Sequence, residues 1–246
     1  MRVLEIKDLC KNYPSFSLKN ISFGVEEGHI MGFIGRNGAG KTTTIKSALN
    51  IVHPTSGEVS YFGRPLIGNE REIKRLVGYA GGAVDFYKRK RISDIVAVTK
   101  RFYENWSDAE CEKYMRAFSI DPAKTPRELS EGMKVKLNLT LAMSHGARLL
   151  ILDEPTSGLD PVSREELLDT FVFLKERGVS ILFSTHITSD LEKCADDITY
   201  IARGEQIASE PLTSFTDRCR EAGYGDTLEN IMVHFEKEDI REKLAD

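Results

Sequence analysis

An apolar run, Ile30-Met31-Gly32-Phe33-Ile34, leads directly into Gly35-Arg36-Asn37-Gly38-Ala39-Gly40-Lys41-Thr42, and Thr43 opens a stretch with helical periodicity. The pattern is G-x-x-x-x-G-K-[ST] set between a strand and a helix, the context in which it works as a phosphate loop. Glycines let the backbone curl so that successive N–H groups and the helix N-terminus converge on a β-phosphate. Lys41 adds a point charge, and Thr42 offers its hydroxyl to Mg²⁺. Ile45, Ala48, Leu49 and Val52 fall on one helical face, with Pro54 and Gly57 expected to end that helix.

A second element complements the loop. Leu149-Leu150-Ile151-Leu152 precedes Asp153 and Glu154, as in a buried parallel strand whose carboxylates emerge at its C-terminal end beside a ligand crevice. Asp153 suits Mg²⁺ held through water, and Glu154 suits orientation or deprotonation of an attacking water. Strands are expected first over VLEIKDL and FSLKNISFGV, broken by Asn12 with Pro14, and later over VSILFST and ITYIARGEQI. Between them helices are expected from about Ser93 to His145, then one capped by Ser163 with Glu166 and closed by Gly178, and one started by Ser189 with Glu192. Within the first block Ser107 and Glu110 form a capping-box pattern ahead of Cys111, Tyr114, Met115 and Phe118, which share one face. Strand and helix alternate, so a parallel sheet covered by helices follows.

Composition narrows the class. With 41% hydrophobic and 29% charged residues among 246, the chain is globular, and its net charge of −4 offers no basic surplus for a nucleic-acid backbone. Cys10, Cys111, Cys194 and Cys219 are scattered without a C-x-x-C pair and are expected to be reduced packing residues. No apolar run approaches membrane-spanning length and the first residues lack a signal-peptide core, so a cytoplasmic protein is expected.

Leu129-Ser130-Glu131-Gly132-Met133-Lys134 opens another helix, with Ser130 at its N-cap. Together with Ser157-Gly158-Leu159-Asp160 and the histidine of Ser184-Thr185-His186, the ordered motifs resemble those of the ATP-binding cassette family from about Val3 to Glu210. The resemblance implies a P-loop NTPase with a RecA-like parallel sheet core, an N-terminal antiparallel β subdomain and an inserted helical subdomain. The chain would form one domain: residues 1–85 and 146–210 as the α/β core with its β subdomain, about 86–145 as the helical subdomain, and about 211–246 as a C-terminal cap. It also implies that Tyr13 stacks on adenine and that His186 contacts the γ-phosphate. Ser130 and Gly132 would act in trans, and Asp160 would belong to the D-loop of the dimer interface. Two such subunits sandwich two ATPs, so a second cassette subunit and a transmembrane permease are the implied partners, with the chain peripheral on the inner membrane face.

Departures qualify the resemblance. Glu131 and Met133 replace the commoner glycine and glutamine, a form that looks like bacterial multidrug and antibiotic-type exporters. Gly82 stands where the family carries a glutamine, so the metal contact and membrane relay of that glutamine are not carried over. The permease is expected to dock near Gly82 to Arg91 and the neighbouring insert. A non-transport cassette ATPase and a regulatory nucleotide-binding module are the alternatives. Lys41 and Ser130 lie only 89 positions apart, too close for the long coiled coils of chromosome-type members.

Overall fold

The computed structural model describes residues 1–81 and 87–235. The chain begins with β1 (Arg2–Tyr13) and β2 (Phe16–Glu26), then β3 (Ile30–Ile34) and α1 (Lys41–Ala48). Next come β4 (Ser56–Tyr61), β5 (Arg64–Pro65), α2 (Glu70–Lys74) and β6 (Val77–Gly81). A helical stretch holds α3 (Ile92–Lys100), α4 (Asp108–Ala117) and α5 (Glu131–Ser144). The return to alternation gives β7 (Leu149–Asp153), α6 (Pro161–Glu176), β8 (Ser180–Thr185), α7 (Thr188–Cys194), β9 (Asp197–Ala202), β10 (Glu205–Pro211) and α8 (Leu212–Glu221), and residues 228–235 are again helical.

The described strands form one sheet in the order β5-β4-β1-β2-β10-β9-β3-β8-β7-β6. From β9 through β3, β8 and β7 to β6 every pairing is parallel, whereas β1, β2, β4 and β5 pair antiparallel. All residues of β3, β7 and β8 are buried, the signature of strands covered on both faces. One core, including Leu150, Leu152, Phe171 and Phe183, lies under the helices α5 to α8. A second joins α1 to the antiparallel strands through Ile45, Leu4 and Leu18. The helical stretch keeps a small core of its own around Ile92, Ile95, Leu137 and Leu141, with Trp106 packed at its edge.

Several boundaries differ from sequence expectation for identifiable reasons. β1 runs through Asn12 because Tyr13 pairs with Phe16, placing Pro14 and Ser15 in a two-residue hairpin turn. α1 stops at Ala48 instead of reaching Val52: Asn50 adopts φ 55°, and the amides of Ile51 and Val52 both turn back onto the Lys46 carbonyl at 2.9 and 3.1 Å. α6 is capped by Asp160, three residues ahead of the expected Ser163. α7 begins at Thr188, and Glu192 accepts from the Leu228 N–H instead of closing a capping box. The Ser107 box is half made, because Ser107 Oγ accepts from Glu110 N–H while the Glu110 carboxylate turns to Lys113. Strands β4 and β6 show no alternation in the sequence because glycines interrupt it. The tail expected as a polar cap buries Phe215, Cys219, Leu228 and Ile231 in the main core.

Candidate nucleotide site

β3, β7 and β8 are neighbours in the sheet, and their C-terminal ends deliver the phosphate loop, the Asp153-Glu154 pair and His186 to one edge. This is where open parallel sheets hold ligands. Gly40 caps α1 at φ 114°, and a Cβ there would sit 2.5 Å from Leu18 Cδ2. A Cβ on Gly35 would meet the Ile201 carbonyl oxygen at 2.3 Å, so the curl of the loop against β2 and β9 excludes side chains at both points. Arg36, Asn37 and Gly38 form the exposed rim, Ala39 is buried beneath it, and Thr42 and Thr43 lie in the first turn of α1.

Lys41 is only 5% exposed, and its Nζ donates to the carbonyls of Gly35 at 2.6 Å and Arg36 at 3.3 Å. The same nitrogen lies 3.0 Å from Glu154 Oε1, in ion-pair contact but off the hydrogen-bond direction. Glu154 Oε2 is 2.8 Å from His186 Nδ1. The Glu154 backbone is left-handed at φ 54°, a turn that brings its side chain back over the strand end. Lysine, glutamate and histidine thus meet at one carboxylate.

Ser184, not singled out from the sequence, organises this turn. Its Oγ donates to Asp153 Oδ1 at 2.6 Å and accepts from Glu154 N–H at 3.0 Å, so one hydroxyl fixes both acidic residues. The signal lay in a small polar residue directly after the apolar run Ile181-Leu182-Phe183, two positions before His186. Asp153 is only 6% exposed. With the Thr42 hydroxyl it makes a set of hard oxygen donors suited to Mg²⁺. Among the described residues no three His, Cys, Asp or Glu side chains gather as a metal site.

The remaining expected residues stand apart. Ser130 is exposed at the start of α5 and its Oγ accepts from Met133 N–H at 3.2 Å. Gly132 is buried with its Cα face toward α6, where an added Cβ would be 3.4 Å from Ser163 Cβ. Asp160 accepts from the Val162 and Ser163 N–H groups and the Ser163 hydroxyl, and Ser163 holds its carboxyl below the usual range. Tyr13 is 40% exposed at the hairpin end, with Lys11 Nζ 5.3 Å from its ring centroid. Phe16, across the turn, is the aromatic that touches the loop, 2.9 Å from a Cβ at Gly40. Gly82 and residues to 86 lie outside the described residues. Tyr87, within the expected docking surface, is 64% exposed.

A family description, ABC transporter, matches residues 18–157. The chain belongs to the ABC transporter family. This ABC subunit is 33% identical over 222 residues to the bacitracin transport ATP-binding protein BcrA of Bacillus licheniformis, spanning 89% of this chain and 72% of that protein. It is 32% identical over 213 residues to the probable multidrug ABC transporter ATP-binding protein YbhF of Escherichia coli, spanning 84% of this chain and 37% of that protein. A solved ATP binding subunit of an ABC transporter superposes with a TM-score of 0.82 at 30% identity, covering 94% of this chain and 98% of that one. The fold is therefore the ABC ATPase α/β fold, and the chain is an ATP-binding and hydrolysing subunit of transporter type. The relatives give no support to a non-transport or purely regulatory cassette. Among the described residues no helix is long and apolar enough to cross a membrane.

Proposed function

We propose that this ATPase subunit works as one half of a cassette pair, closing on two ATPs and driving export through a separate membrane permease while lying against the inner face of the membrane. The observation that carries the reading is the convergence of Lys41 and His186 on Glu154, at 3.0 and 2.8 Å. In it, Gly35 to Thr43 cradle the phosphates, Lys41 neutralises charge on the transferred group, and Tyr13 stacks on adenine. Thr42 and Asp153 hold Mg²⁺, which when bound offsets charge on the phosphate oxygens. Glu154 orients the attacking water and takes its proton, and His186 steadies the γ-phosphate. Ser130 and Gly132 supply the far wall of the partner's site, and Asp160 belongs to the interface between the two. Export is favoured because the similar proteins include transport ATP-binding proteins for bacitracin and multidrug types.

The test compares parent and Glu154→Gln for Mg-ATP turnover and for mass in solution with and without ATP. Loss of a general base costs about 10²- to 10⁴-fold in rate. The expected outcome is that loss with nucleotide affinity retained, together with ATP-dependent dimers that persist in the variant. Unchanged turnover in Glu154→Gln, or monomers at saturating ATP in both proteins, overturns the reading.

A further inference from the structure

Among the described residues, buried side-chain oxygen or nitrogen atoms short of a hydrogen bond of ordinary geometry gather at Glu154, Thr156, Arg164 and Asp190. Such atoms are rare in folded proteins and each asks for a reason. Asp190, on α7, is 1% exposed, and its Oδ1 lies 4.0 Å from Arg164 Nε on α6, an ion pair short of hydrogen-bond contact. Thr156, 0% exposed, lies two residues beyond Glu154 on the turn out of β7. Burial pushes the Asp190 carboxyl above its ordinary range, with the Thr156 hydroxyl, Arg164 and His186 pulling the other way. Three segments therefore meet behind the candidate catalytic carboxylate: the turn after Glu154, the first turn of α6 after Asp160, and the helix that follows His186.

We infer that Asp190 is a positioning residue for ATP hydrolysis, holding the His186 segment in register with Glu154 through Thr156 and Arg164, so that a shift of the α6 N-terminus reaches His186. A fully bonded buried network would lock these segments, whereas one whose Asp190–Arg164 pair stands at 4.0 Å has a tighter arrangement open to it. Asp160 and Arg164 sit one turn apart on α6, joined by the Arg164 N–H to Asp160 carbonyl bond of 3.0 Å, so movement at the first is movement at the second. This inference rests on the proposed role of His186.

The experiment is a double-mutant cycle of Asp190→Asn and His186→Ala, with kcat, KM, nucleotide affinity and melting temperature measured for all four proteins. Asp190→Asn keeps the shape of the side chain. The expected result is a roughly tenfold fall in kcat at unchanged nucleotide affinity and unreduced melting temperature, partial recovery in Asp190→Glu, and no further fall when Asp190→Asn is added to His186→Ala. An equal fall in both backgrounds, or a fall that tracks melting temperature, overturns the inference while leaving His186 in its role. If His186→Ala turns over like the parent, the proposed role of His186 fails and the inference with it.

Discussion

The two kinds of residue assigned to ATP sit on very different supports. Lys41, Asp153, Glu154 and His186 stand at the ends of wholly buried neighbouring strands or on the loop they feed, and contacts of 3.0 Å or less tie them together. Ser130 and Gly132 stand at the start of a helix whose outer face belongs to a core of about eight buried residues, and the Ser130 hydroxyl is bonded within its own helix. Register fixes the first group, because parallel pairing of β7 with β8 sets Asp153 opposite Ser184. The second group is placed by side-chain packing on a helix, with no strand ladder of its own to fix it. The proposed chemistry is thus mounted on strand ends held by register, and the surface proposed to face a partner on a packed helix.

The largest test of that contrast deletes one buried side chain from each region. Leu137→Ala in the insert and Ile181→Ala in β8 should each cost about 2 to 5 kcal/mol. The single tryptophan, Trp106, packs on the insert core and reports it by fluorescence, while far-UV circular dichroism reports the whole chain. In Ile181→Ala the two signals should melt together, and in Leu137→Ala the fluorescence change should come first. Coincident transitions in both variants break the contrast and make the insert an integral part of the main core.

Ser107→Ala should have a smaller and local effect. Its hydroxyl caps α4 by accepting from Glu110 N–H at 3.2 Å, and losing such a cap costs about 1 kcal/mol. The cost should appear in faster hydrogen exchange over α4 with the strands unaffected; a uniform rise across β7 and β8 would contradict an independently opening insert.

The smallest effect is one of pH. His145, at the end of α5, stacks on Tyr103 at 3.8 Å between ring centroids and places Nδ1 3.1 Å from the Arg75 carbonyl, joining the insert to the end of α2. Burial holds its pKa below 6.5, outweighing the Arg75 hydrogen bond. The unfolded ring therefore binds a proton more readily than the folded one. Its contribution to stability is full above pH 6.5 and is lost as pH falls from there through the lowered folded value. Denaturant titrations read at Trp106 should show the parent losing stability as pH falls below 6.5, with a flatter profile in His145→Gln. Equal slopes would remove His145 as the pH-sensitive contact.

Much of the catalytic edge was legible because its chemistry is local. Gly35 to Thr42 and Leu149 to Glu154 each carry their function in a few consecutive residues, and the apolar runs before them state that the strands are buried. Caps and ends were less legible. Ser163 and Ser189 satisfy the composition of an N-cap as well as Asp160 does, and only the observed hydrogen bonds of Asp160 decide the start of α6. The glycines of Val77-Gly78-Tyr79-Ala80-Gly81 conceal a strand whose pairing with β7 places Gly81 beside Asp153.

By itself the sequence determined the phosphate loop, the acidic strand end, the order of the motifs and the alternation of strand with helix, since each depends on neighbours along the chain. Tertiary structure alone decided that Ser184 fixes both acidic residues, that Lys41 and His186 share Glu154, and that Asp190 faces Arg164 and Thr156 behind it. Those relations join residues 26 to 113 positions apart. Strand order and helix packing bring them together, and a one-dimensional pattern carries no record of either.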